Sequence, residues 1–498
     1  MKERSMRSTY HLFHTQVKLR RGLVWIAMSF ALCLGGVTAP FARAAKPNFV
    51  VFLSDDHSQR DSEPYGATDV RTPHLMRLAQ RGLLFEQAFI ASPACAPSRT
   101  AMLTGRMPAR NGAEANHSYK RDDVLSLPKV LQALGYETAA FGKVAHGKTD
   151  VARHGFDLFE EKHDIETVRS FLRARDANKP LCLFVGTHEP HVPWPENRGY
   201  QPRSLNLPPT HIDTPETRNF RSRYYSDITE ADRRLGEVMD AVDELLPKDS
   251  TAFLYTSDHG AQWPFGKWNL YDEGIRVPLI VSWPSVVPEK ARTQAMVQWI
   301  DLLPTLIDLA GGAPQSEWDG KSFATVLRQP DRPHRKEIFT THSGDGKMNV
   351  YPIRSIRTDE WKLIWNLHPE FAHTTHIDKA LARDGGRYWI SWFEKAKMDE
   401  QAAATVRRYH ERPEWELYHL PSDPWETINL APNPTHAETL ADLKGKLQQW
   451  MQEQGDTKQV FNDPRLLSDP TSTVPGENAH TDTPNSPAAK PTNPLNSK

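Results

Sequence analysis

Four apolar runs in this chain obey one rule: each is continuous rather than alternating, and each stops at polar residues able to do chemistry. "NFVVFLSDDH" stops at Asp55, Asp56 and His57, and "ETAAFGKVAH" at Lys143 and His146. "LCLFVGTHEPH" stops at His188 and His191, and "TAFLYTSDHG" at Asp258 and His259. Continuous runs of this kind suit strands buried on both faces, as in a parallel sheet covered by helices. Helical patterns lie between them. In "ITEADRRLGEVMDAVDELL", Ile228, Leu235, Val238, Val242 and Leu245 share one face, and "IDLLPTLIDLAG" is a second helix, interrupted early by Pro304. Ligands in an open α/β sheet sit beyond the carboxyl ends of the strands, so the four polar clusters are expected to meet on one edge. The pattern predicts a doubly wound α/β core over 46–334, with helices on both faces.

After residue 335 the texture changes. "YPIRSIRTDEWKLIWNL" and "WELYHLPSDPWETINLA" are aromatic-rich and predict strands of a smaller antiparallel sheet in a C-terminal α+β subdomain, 335–462. A helix follows, with Leu440, Leu443, Leu447, Trp450 and Met451 at helical spacing, expected to pack back onto the body. From Asp463 to the last residue, 498, the chain is polar and proline-rich and is expected to be disordered. Internal repeats are not evident.

Composition narrows the class. The chain has 498 residues, 38% of them hydrophobic, enough for a substantial core, and a formal charge of −1. That near-neutral balance lacks the footprint of a phosphate-backbone binder, so no nucleic-acid partner is expected. Residues 1–44 carry a basic stretch, an apolar run from Leu23 to Val37 and small residues ending at Ala44. This is the pattern of a secretory signal peptide, and its apolar run is shorter than the roughly 20 residues that span a bilayer. The mature protein is expected to be exported, to the periplasm or beyond.

Three cysteines occur: Cys33 in the signal segment, Cys182 in "LCLFV" and Cys95 in "SPACAPSRTAMLTGR". Cys182 is expected to be a small core residue. Cys95 has no evident structural task. Asp55, Asp56, Asp258 and His259 offer three carboxylates and an imidazole, a donor set that suits Ca²⁺ or Mg²⁺ better than zinc. A single such Asp would serve as a helix N-cap, but four of these residues at two strand ends favour a metal site.

Cys95-Ala96-Pro97-Ser98-Arg99 followed by Thr104-Gly105-Arg106 forms C-x-P-S-R-x-x-x-x-T-G-R, which resembles the signature of the type I sulfatases of the alkaline-phosphatase-like superfamily. "PNFVVFLSDDHS", "TPHLMRLAQRGLLFEQAF", "FGKVAHG", "PHVPW", "TSDHG" and "YDEGIRVPLIVSWP" look like further family blocks, in the family's order. The resemblance implies that a maturation enzyme reading C-x-P-x-R oxidises Cys95 to formylglycine. It implies that Asp55, Asp56, the modified Cys95, Asp258 and His259 hold the metal, Ca²⁺ with Mg²⁺ as the alternative. One hydroxyl of the hydrated aldehyde would attack sulfur, and loss of the other's proton would expel sulfate. The charged transition state calls for fixed cations and proton carriers. Arg99 is expected to position the diol and Lys143 and Lys267 to hold the sulfate oxygens. His146 would take the second hydroxyl's proton and His191 would protonate the leaving group, with His188 a further candidate.

The substrate is expected to be a sulfated saccharide. The C-terminal blocks look like the heparan N-sulfatases (sulfamidases), which act on N-sulfoglucosamine. The Lys-x-x-His spacing of "GKVAHG" is instead similar to iduronate-2-sulfatase-like enzymes, and His259 stands where many sulfatases carry Asn, so an O-sulfatase is the alternative. A phosphonate or phosphodiester hydrolase of the same superfamily and a non-catalytic binder of sulfated glycans are further readings. His342 and Asp345 are candidates for the sugar pocket, with an ordinary glycine-containing loop as the equal alternative, and Trp263 and Trp268 could stack on sugar rings, although tryptophans at strand edges are more often core. Oligomeric state is not legible.

Overall fold

The computed structural model describes residues 46–381 and 386–476; the expected signal segment, Cys33 and residues 477–498 lie outside the described residues. Strands β1 (Asn48–Ser54), β2 (Leu83–Phe85), β3 (Ala88–Phe89), β4 (Glu137–Gly142), β5 (Leu158–Glu160), β6 (Leu181–Gly186), β7 (Thr251–Ser257), β8 (Leu279–Ser282), β9 (Ala291–Thr293) and β10 (Val297–Gln298) precede a second group. That group is β11 (Glu337–His342), β12 (Ile353–Thr358), β13 (Trp361–Asn366) and β14 (Trp415–His419). The large sheet has the order β5-β4-β6-β1-β7-β8-β2-β9. The four apolar runs are β4, β6, β1 and β7, four adjacent parallel strands. Their carboxyl ends are level, since Ser54 pairs with Ser257, Leu53 with Gly186, and Gly186 with Gly142.

Continuity of these runs has a direct cause. Alternate residues of β1 enter different cores: Phe49, Val51 and Leu53 pack with Met102, Leu103, Leu303 and Leu306, whereas Val50 and Phe52 pack with Leu75, Leu78, Leu235 and Met239. Both faces being covered, every position is apolar, and each such side chain contributes about 2 kcal/mol on burial. The sheet is mixed rather than wholly parallel, because β8 runs antiparallel to β7 and β2.

The helix expected in 228–246 is longer, Pro215–Leu245, and Thr214 caps it by accepting from the Thr217 amide. Its first half buries Phe220, Tyr224 and Tyr225 between polar residues, so the apolar period is hidden there. Pro304 sits in the first turn of Leu302–Leu309, where no intrahelical partner awaits its missing N–H.

β11 to β14 form the antiparallel sheet in chain order, with the first aromatic-rich segment supplying the β12–β13 hairpin and the second supplying β14. Helix Ala437–Gln454 lays Leu443, Leu447 and Met451 on Ile356, Leu363 and Leu417 of this sheet, while Trp450 stacks on Phe339 with ring centroids 4.6 Å apart. Buried ion pairs tie the small sheet to the short helix Asp272–Ile275 ahead of β8 and to the segment after β14. Lys362 Nζ lies 2.6 Å from Asp272 and 2.7 Å from Glu426, and Arg357 donates to both Asp272 oxygens.

The expected disorder from Asp463 is corrected for 463–476. The Ala372 amide donates to Arg465 O over 2.8 Å, Leu467 to Glu370 O over 3.0 Å and Gly476 to Asp378 O over 3.0 Å. Backbone hydrogen bonds rather than apolar burial hold this segment, so its polar composition gives no sign of them. Cys182 is a buried free thiol of β6, and burial pushes its pKa up.

Candidate active site

Asp55 and Asp56 follow β1 directly, and Asp258 and His259 follow β7. Asp56 has φ of 65°, a left-handed conformation that Asp adopts more readily than most residues, and its amide donates to Asp258 Oδ1 over 3.0 Å. One ligand atom from each of Asp55, Asp56, Cys95, Asp258 and His259 fits a group within 4.8 Å, and all five residues are buried.

Cys95 opens helix Cys95–Thr104, and Ser98 and Arg99, three and four residues on, face the same way. Ser98 Oγ donates to the Asp258 carbonyl over 2.6 Å. Arg99 donates from Nε to Asp258 Oδ2 over 2.9 Å and from Nη2 to Asp55 Oδ1 over 3.1 Å. The C-x-x-S-R spacing thus docks one helix face on two strand ends. Gly105, at φ 65°, ends the helix in a left-handed cap.

Lys143 follows β4. A Cβ on Gly186 would lie 2.1 Å from the Lys143 carbonyl oxygen, so only glycine lets the two strand ends pass. Lys143 Nζ pairs with Asp55 and approaches Cys95 Sγ at 3.7 Å. Lys267 comes from a loop folded on itself, in which a Cβ at Gly266 would meet the Ala261 oxygen at 2.3 Å. Its Nζ reaches both oxygens of Asp56, at 3.0 and 2.9 Å.

Imidazoles stand around these groups. Cys95 Sγ is 3.4 Å from His259 Nε2. His191 Nδ1 donates to the Val192 carbonyl over 2.5 Å, so its Nε2 is the nitrogen turned to Asp56, at 3.9 Å. His146 Nε2 meets His117 Nδ1 at 2.8 Å.

Burial works against every charge here, and neighbours decide the outcome. Lys143 and Arg99 overcome burial and hold the Asp55 carboxyl well below the usual range. Asp258 and Asp56 overcome it at His259, pushing that imidazole up to about 9. Burial, with Lys267 and Lys143, holds His191 well below its usual value. Asp55, Asp56 and Asp258 balance Arg99, Lys143 and Lys267 in charge. Three carboxylates and one imidazole fit a hard cation.

The sulfatase family model matches residues 47–168 and 164–313. The chain belongs to the sulfatase family. A model of the N-sulphoglucosamine sulphohydrolase C-terminal region matches residues 259–375 of this sulfatase. An ulvan-active sulfatase of Formosa agariphila is 30% identical over 83% of this chain and 82% of its own. The human N-sulphoglucosamine sulphohydrolase is 27% identical over 86% of this chain and 94% of its own. A structure solved in complex with its substrate D-glucosamine-2-N,6-O-disulfate shares the fold with a TM-score of 0.62 at 20% identity, covering 83% of this chain and 99% of that one. The enzyme is a sulfatase, a hydrolase of sulfuric esters or sulfamates, and its fold is the alkaline-phosphatase-like α/β sheet with a small antiparallel sheet.

Of the residues singled out in the sequence, Asp55, Asp56, Cys95, Arg99, Lys143, His191, Asp258, His259 and Lys267 come together. His146 stands beside them through Lys143, whose charge it feels. His188 feels Lys143 and Asp55, with its ring tilted on His163 at 6.0 Å. Trp263 and Trp268 take the core role rather than the sugar-stacking one: both are buried. Trp263 stacks on Trp194 with centroids 4.9 Å apart, and Trp268 donates inward to Asp345 over 2.7 Å. His342 is buried against Asn349. Sequence reasoning missed Asn116 and His117, which no motif marks. Asn116 accepts from the Ala96 amide and donates to Asp345.

Proposed function

We propose that this sulfatase is exported, carries formylglycine at Cys95 and Ca²⁺ on Asp55, Asp56, Asp258 and His259, and hydrolyses N-sulfoglucosamine of heparan type. The observation that carries the site assignment is the convergence of five ligand atoms within 4.8 Å from three chain segments, with Arg99 bracing two of them. The cation would supply Lewis acidity at the sulfate and at the nucleophilic hydroxyl. The hydrated aldehyde would supply that hydroxyl and a second one whose deprotonation ejects sulfate.

The chain's own groups do the rest. Arg99 fixes the strand ends and orients the side chain at 95. Lys143 and Lys267, now neutralising Asp55 and Asp56, turn to the sulfate oxygens when a cation takes over those carboxylates. His191 presents Nε2 to the leaving atom, and His146 takes the proton of the second hydroxyl.

The N-sulfated sugar is supported by the sulphohydrolase C-terminal match and by the human relative. An O-sulfate ester is the second reading, supported by the ulvan-active relative and by the Lys143-x-x-His146 spacing. The test is sulfate release by matured protein with Ca²⁺ from N-sulfoglucosamine and from 2-O- and 6-O-sulfated saccharides, with Cys95→Ala as blank. Sulfate together with a free amine is the expected product. Release from an ester alone transfers the assignment to an O-sulfatase.

A further inference from the structure

The nitrogen by which His146 takes its proton is decided outside the motif that contains it. His146 Nε2 is engaged with His117 Nδ1 at 2.8 Å, the rings meeting edge to face with centroids 4.6 Å apart. His117 Nε2 in turn lies 3.2 Å from Asp345 Oδ1. The other Asp345 oxygen already accepts from Trp268 Nε1 over 2.7 Å and Asn116 Nδ2 over 3.0 Å, and lies 3.6 Å from His376 Nε2. Among the described residues Oδ1 has no well-aligned hydrogen bond, and it pairs with the His117 ring through charge, holding the Asp345 carboxyl well below its usual range against burial.

A carboxylate only accepts, so His117 carries its proton on Nε2 and presents a bare Nδ1. His146 must then carry its proton on Nε2. Its Nδ1, buried and without a hydrogen bond among the described residues, is left as the free base. His117 sits at φ 65°, a left-handed conformation for a side chain that is 56% exposed, which marks a constraint beyond packing. Asn116 ties the carboxylate of the loop after β11 to the amide of Ala96, beside the nucleophile.

We propose that Asp345 and His117 form a relay that positions His146, fixing its tautomer with Nδ1 bare and sharing the charge it acquires when sulfate is expelled. This deepens the reading above and rests on it. In the step concerned, the free hydroxyl of the sulfated residue 95 loses its proton to His146 Nδ1. The O–H electron pair becomes the carbonyl π bond, and the C–O bond to sulfate breaks with its pair leaving on sulfate. Burial, with the charges of Lys143 and His117, holds His146 down to about 3, too weak a base alone, and the Asp345 charge acts in the opposite direction. His117 and Asp345 are positioning residues.

The test uses His117→Gly, which suits the left-handed backbone, together with Asp345→Asn. Because only the second half-reaction is slowed, kcat is expected to fall about 100-fold with KM falling in parallel, leaving kcat/KM unchanged. The residue 95 peptide should then carry a trapped sulfuryl group in mass spectra, and added imidazole should restore kcat in His117→Gly. NMR of isotopically labelled histidine rings, in unmodified protein without metal, should show His146 protonated on Nε2, and shifted to mixed tautomers in both variants. A fall in kcat/KM equal to that in kcat, or a His146 ring protonated on Nδ1 in the wild type, overturns the relay. Absence of sulfate release by wild type from every saccharide would overturn the functional reading, and the ring-nitrogen spectra would still decide the relay.

Discussion

Arg99 Nε donates to Asp258 Oδ2 over 2.9 Å, and neither side chain meets solvent. The same guanidinium reaches Asp55, so one cation from the nucleophile helix locks two strand ends. Arg99→Ala is expected to leave two buried carboxylates without this partner and to cost about 3–5 kcal/mol in chemical denaturation. Arg99→Lys keeps a charge but cannot bridge two carboxylates in a planar fork, and should recover only part of that loss. Full stability in Arg99→Ala would contradict the bracing role.

Lys267 contacts both oxygens of Asp56 from a loop held by close backbone packing. Lys267→Met is expected to lower kcat/KM about 100- to 1,000-fold by removing a fixed cation from the transition state. Steady-state sulfate release measures it, and a change below about threefold would remove Lys267 from the sulfate site.

Chelation should abolish turnover, and returning Ca²⁺ should restore more of it than Mg²⁺. The ligand atoms come from three segments that only the folded chain brings together, so metal binds the native state preferentially. At about 100 times its Kd, the ion adds about 2.7 kcal/mol of stability, read as a rise in Tm. A Tm indifferent to Ca²⁺ would argue against these ligands.

Asp227 lies on the long helix, where burial, then Glu189 and Glu230, push its carboxyl up to about 8. Unfolded, the same group titrates near about 4. Between those values the native state holds a proton that the unfolded state has lost, so stability falls as pH rises from about 4 to about 8. Asp227→Asn should therefore raise Tm at pH 8 and change it little at pH 4. Equal effects at both pH values would show that the carboxyl does not titrate this way.

Much of the site was legible because its chemistry is placed by strand ends. A strand buried on both faces has to be apolar throughout, so Ser54-Asp55-Asp56 and Ser257-Asp258-His259 stand out as abrupt changes. Cys95 and Arg99 were legible through the resemblance of C-x-P-S-R to a family signature, whereas the helical face that they share is seen only in the structure. The pairing of Asp345 with His117 was not legible: Asp345 was singled out only as a sugar-pocket candidate, and the two lie 228 residues apart, joined by side chains of two loops that no periodicity describes. Trp268 near a site lysine left sugar stacking open beside the commoner core role, and its buried indole, whose N–H points inward to Asp345, takes the core role. The segment 463–476 was hidden for a related reason, since main-chain hydrogen bonds leave no mark on composition.

The level carboxyl ends of β4, β6, β1 and β7 also bear on how the enzyme comes into being. β1 pairs with β7 across about two hundred residues, so their alignment closes a very long loop, among the slowest kinds of event in folding. No local fragment holds the cluster: Asp55 and Asp258 become neighbours only through that pairing. Recovery of activity during refolding is thus a clock for closure of the central sheet, and a chain arrested before that moment is catalytically silent however much helix it has made.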